Sequence, residues 1–168
     1  MTLKSEKSSF FYFSIVSNIL ILFSNFPDFN PENAKECNQE TIFNQHLLVC
    51  ALQEISALFI GLGTSIHHLV GDSSSGLLNG LFSVLIHPCV ATRLSGAWAL
   101  RSLCVALPSE AHKCVERCVG AFDLMKASPD AVAGYAAALA AILGAVRQMP
   151  LGIPYATGKV WKMLSIGF

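Results

Sequence analysis

A chain of 168 residues with 53% hydrophobic and only 13% charged side chains is long enough for one domain with a core, and it has little charge for its surface. Its 11 basic and 11 acidic residues balance to zero, so neither the basic stripe of a nucleic-acid binder nor an acidic interaction tail is present. The six cysteines, Cys37, Cys50, Cys89, Cys104, Cys114 and Cys118, form no C-x-x-C and mostly sit in apolar runs, which points to a reducing compartment and no disulfide framework.

The head of the chain differs in composition from the body. All 12 glycines fall at Gly61 or later, the first alanine is Ala34, and six of the 11 phenylalanines lie between Phe10 and Phe29. The run FFYFSIVSNILILFSNF, 10–26, follows Lys4 and Lys7. It is short for a transmembrane helix and carries Ser14, Ser17, Asn18, Ser24 and Asn25. As a signal peptide it lacks a small-residue cleavage site. The remaining reading is an extra apolar helix, or a leader foreign to the domain, with PDFNPENAKECNQE, 27–40, as the linker.

From Thr41 the pattern is helical. In 41–63, Ile42, Leu48, Leu52, Ile55, Leu58, Phe59 and Leu62 fall at helical spacing, with Thr41 as cap and Gly61 or Gly63 as stop. Residues 72–86 open with Asp72 and a serine cluster and carry the stripe Leu77, Leu78, Leu81, Phe82 and Leu85. Pro88 is expected at the first turn of a third helix, ending near Leu107. That helix should be buried all round, with Leu94, Trp98, Leu100, Leu103 and Val105 filling both flanks. Pro108 opens a fourth, with Ser109 as cap and Val115, Cys118, Val119, Phe122 and Met125 facing inward. The fifth, 128–148, starts Ser-Pro-Asp, a cap followed by proline. A Pro/Gly loop, 149–160, and a short helix, 160–166, complete the chain. No segment alternates in the manner of a strand.

Pro88 and Pro129 stand 41 residues apart, and each opens a long apolar helix after a shorter amphipathic one. Pro108 and Pro150 close the two units almost in step. A helix-pair period near 40–47 is the HEAT/armadillo length class. The expected fold is therefore all-α: an α-solenoid of about three HEAT-type hairpins over 41–168, without a sheet, preceded by the leader and linker at 1–40. Hairpins that bury their faces only against neighbours explain the low charge.

The unit GLLNGLFSVLIHPCVATRLSGAWALRSL resembles the HEAT repeat itself, with Pro88 after the turn and Arg93 five residues on. His87 stands where the pattern usually has aspartate. With RLSGAWALR and PLGIP as the most specific stretches, about residues 45–160 resemble the HEAT repeat-containing protein 5 family. The resemblance implies a non-enzymatic scaffold of vesicle trafficking between endosomes and the trans-Golgi network. Its implied partners are aftiphilin, gamma-synergin and the clathrin adaptor complex. It implies a cytosolic location peripheral to Golgi and endosomal membranes, with indirect membrane association. It brings no catalytic residue and no cofactor. The repeat-defining residues are Pro88, Arg93, Trp98, Leu100, Pro108 and Pro129. The rival readings are a membrane-anchored helical protein using 10–26, or a generic HEAT interaction module.

Other chemistry weighs less. Cys114 and Cys118 are spaced i, i+4 near His112, but zinc usually takes four ligands in two pairs, so buried structural thiols are expected. The adjacent His67 and His68 point in different directions and read as a solvated loop. The stretch 61–71 has no preceding strand and no Gly-Lys-Ser/Thr, and no nucleophile elbow is present. Arg93 and Arg101 lie about 80° apart on a helical wheel. Arg93, sharing its side with Val90, Leu94, Ala97 and Cys104, is expected to bond inter-repeat carbonyls or a carboxylate and so fix the stacking.

Overall fold

The computed structural model describes residues 39–67, 70 and 76–149. The leader run 10–26, most of the 27–40 linker, the Asp72–serine cluster, His68, Pro150 and the predicted segments beyond it lie outside the described residues. Among the described residues five α-helices follow one another: α1 (Gln39–Leu62), α2 (Leu77–Val84), α3 (Val90–Ala106), α4 (Pro108–Leu124) and α5 (Pro129–Gly144). Short 3-10 turns follow α1 at Gly63–Ile66 and α5 at Val146–Gln148. Among the described residues there is no strand, and the architecture is all-α.

The helix ends follow local chemistry, with four departures from the sequence reading. Helix α1 starts at Gln39, so Thr41 lies inside it rather than capping it. It gives way at Gly63, whose φ of +54° suits a residue without Cβ. Helix α2 starts at Leu77 after Gly76, itself at φ +62°. Pro88 does not open α3: Cys89, in extended conformation, is the N-cap, and the helix begins at Val90. The prolines at 108 and 129 do stand in the first turns of α4 and α5. Ser109 lies inside that first turn of α4, behind the N-cap Leu107. Ser128 caps α5, its hydroxyl accepting from the Ala131 amide at 3.4 Å.

Helix α3 is the centre of the arrangement. It packs most extensively against α1 and α5 and also meets α2 and α4. Leu52, Ile55 and Phe59 from α1, Leu81 and Phe82 from α2, Leu100 and Leu103 from α3, Val115 from α4 and Ile142 from α5 are all fully buried. Each such side chain contributes about 1.5–3 kcal/mol by leaving water. The Phe82 and Tyr135 rings stack at 6.1 Å between centroids, joining α2 to α5. Arg117 on α4 lies 4.1 Å over the Phe82 ring and donates to Asn79 Oδ1 at 2.9 Å, so α4 also reaches α2.

Burial all round α3 does not hold. Val90, Leu94 and Trp98 are more than half exposed, whereas Leu100 and Leu103 are fully buried. Four neighbours leave one stripe of α3 uncovered, and i, i+4, i+8 spacing puts these three residues on it. Val90 and Leu94 therefore do not share the burial of Arg93, while Ala97 and Cys104 are buried as it is.

Candidate functional site

Two of the buried polar side chains, Thr92 and Arg93, lie at the start of α3, just after the turn from α2. Arg93, 7% exposed, projects from the first turn of α3 back across the turn that precedes it. Its Nη1 donates to the carbonyls of His87 and Pro88 and to Asp130 Oδ1, each at 2.8 Å. The two carbonyls belong to its own hairpin, so the expected inter-repeat bond comes from the carboxylate alone. Asp130 sits in the first turn of α5, where the helix dipole also favours a negative charge. Its side chain is half exposed.

The late start of α3 is what makes this cradle. With helix geometry delayed until Val90, the carbonyls at 87 and 88 are free of intrahelical partners and turn toward the guanidinium. His87 adds a ring contact, its Nδ1 accepting from the Cys89 amide at 3.0 Å. That bond requires an unprotonated Nδ1. Burial, then the charge on Arg93, holds the His87 pKa below its ordinary value of 6.5.

Helix α5 reaches the turn through Gly134. A Cβ there would overlap the Leu85 carbonyl oxygen and lie 3.2 Å from Arg93 Cδ. Gly134 stands 41 residues after Arg93, the same interval that separates Pro88 from Pro129.

The remaining singled-out residues are dispersed. Trp98 is exposed, and Arg101 stacks on it at 4.4 Å from Cζ to ring centroid. Leu100 is in the core. Pro108 is partly buried and Pro129 exposed, both at helix starts. His67 is exposed in the helical turn after α1. Cys104, Cys114 and Cys118 come together between α3 and α4, all buried. A hydrogen bond that the Cys104 thiol donates to Cys114, with burial, pushes the Cys104 pKa far up, and burial pushes that of Cys118 to about 12. Among the described residues no group of three His, Cys, Asp or Glu side chains could hold a metal ion.

Two roles escaped the sequence reading. Cys89 is an N-cap, and Arg117 is the link between α2 and α4. The first signal was present as Cys89-Val-Ala-Thr92, but cysteine is not a usual cap and the proline beside it drew the helix start.

No protein-family model matches the chain, and no solved structure matches it.

Proposed function

We propose that this chain is a segment of a HEAT-type α-solenoid and acts as a non-enzymatic protein scaffold. The observation that carries the reading is the Arg93–Asp130 bond, which ties the hairpin of α2 and α3 to that of α4 and α5 within a 41-residue register. A row in which α3 stands between α1 and α5 agrees with stacked hairpins. Exposed Leu94 and Trp98 agree with a surface that meets other proteins. Following the resemblance to the HEAT repeat-containing protein 5 family, the function proposed is adaptor-linked vesicle trafficking, with aftiphilin and gamma-synergin as partners. Titration calorimetry of the full chain against the recombinant aftiphilin and gamma-synergin pair tests this. Saturable binding at or below about 10 μM supports it. Absence of heat up to about 100 μM contradicts it.

A membrane reading has one observation in its favour. The stretches Thr41–Ile66 and Pro129–Gln148 are long and apolar enough to cross a membrane by length and composition. About a third of each is buried within the chain. Membrane recovery of the expressed chain, with and without residues 1–40, separates an anchor at 10–26 from a scaffold. Recovery that disappears with the leader favours the anchor.

A further inference from the structure

The N-terminus of α3 holds a thiol in a setting unlike that of the other cysteines. Cys89 is half-buried and is the N-cap of a 17-residue helix. Its neutral side chain makes no capping hydrogen bond, since an uncharged thiol is a weak acceptor. The amides of the first turn are thus left facing a group that becomes a strong acceptor only on ionising.

A second observation concerns Thr92, on the same turn. It is fully buried, and its Oγ1 has no hydrogen-bond partner among the described residues. A buried hydroxyl without a partner is costly. Thr92 follows Cys89 by three residues, on the same face of this first turn, so its hydroxyl is near enough to the Cys89 sulfur to favour the ionised thiol. A thiolate, or an oxygen carried on that sulfur, would accept from it. Arg93 supplies a fixed positive charge one residue further along.

The electrostatics agree. Burial raises the Cys89 pKa, but the Thr92 amide, the Thr92 hydroxyl, the Ala91 amide and Arg93 together outweigh it, and the pKa lies below the ordinary thiol value. The charged and titratable groups around the sulfur are His87, held neutral, and Arg93, whose charge is shared with Asp130 of α5.

We propose that Cys89 is a site of oxidation by hydrogen peroxide, with Thr92 and the first amides of α3 as the pocket for its thiolate and sulfenate forms. The thiolate sulfur attacks one peroxide oxygen, an S–O bond forms and the O–O bond breaks. Sulfur loses two electrons, the peroxide gains them, and hydroxide leaves. Protonated by the proton the thiol gave up, the hydroxide becomes water. The Thr92 hydroxyl then has its acceptor. The modified sulfur sits at the joint that holds Arg93, because the Cys89 amide donates to His87 and the Cys89 carbonyl accepts from the Arg93 amide.

The test is peptide mapping of the full folded chain after brief iodoacetamide treatment at neutral pH, and separately after hydrogen peroxide followed by dimedone. Cys50, exposed on α1, is the internal reference, and buried Cys104 reports that the chain stays folded. Cys89 is expected to alkylate faster than Cys50 and to carry the dimedone adduct. Thr92→Val should slow Cys89 alkylation by about threefold, the smaller thiolate fraction being partly offset by its greater nucleophilicity. Thr92→Ser should restore the rate. Cys50 reacting as fast as Cys89, or a Thr92→Val chain with unchanged Cys89 rate and protected Cys104, would overturn the proposal. Should Thr92→Val expose Cys104, the Cys89 to Cys50 ratio and the adduct in the unaltered chain decide.

Discussion

Arg93 on α3 and Asp130 on α5 meet at 2.8 Å across 37 residues of sequence. The arginine is nearly buried and the aspartate half exposed, so the two are unequal partners. The arginine also holds the His87 and Pro88 carbonyls. Arg93→Met, which keeps the stem and removes the donors, should cost about 2–3 kcal/mol. Asp130→Asn should cost under about 1 kcal/mol, because water screens the carboxylate. Thermal melts of both variants check the order. Equal losses would show that the carboxylate, not the carbonyl pair, carries the site.

Gly134 and Gly120 make an internal comparison. Gly134→Ala drives a methyl into the Leu85 carbonyl, backbone that cannot swing aside, and should destabilise by at least about 1–3 kcal/mol. Gly120→Ala on α4 meets nothing within 4 Å and should stabilise by about 0.4–1 kcal/mol. Urea midpoints of the two variants should move in opposite directions.

His87 makes stability depend on pH with a definite sign. Its folded pKa lies below the unfolded value near 6.5, so the unfolded chain binds the extra proton first. The contribution is fully present above pH 6.5 and is lost as pH falls through the lower folded value. His87→Asn offers an acceptor to the Cys89 amide without titrating. Melting temperature measured from pH 7.5 to 5 should fall less steeply for this variant than for the unaltered chain.

The buried thiols behave differently from Cys89. Cys104 and Cys118 have raised pKa values, and Cys114 is equally enclosed. Ellman's reagent on the folded chain should leave all three unmodified, and they should appear only on adding denaturant. Prompt reaction of any of them would mean that the α3–α4 interface opens readily.

Much of this was legible in the sequence, and the rest was hidden for physical reasons. Helical periodicity located all five helices, and the prolines at 108 and 129 marked two starts. Pro88 misled because proline is as comfortable just before a cap as inside the first turn, and only the need of Arg93 for two carbonyls decides between them. The wheel of α3 is apolar nearly all round, so it could not tell that Leu94 and Trp98 lie on the side without a neighbour. Arg93 announced that it needed partners. Which carboxylate would answer depended on where the chain places Asp130, which no local pattern contains.

The central claim is that Arg93 ties one hairpin to the next. Hydrogen-exchange mass spectrometry of the unaltered chain and the Arg93→Met variant tests it most directly. The account predicts that amides of Pro129–Gly144 lose protection in the variant well before those of Gln39–Leu62. Unchanged protection in Pro129–Gly144, or equal loss in both helices, would contradict it.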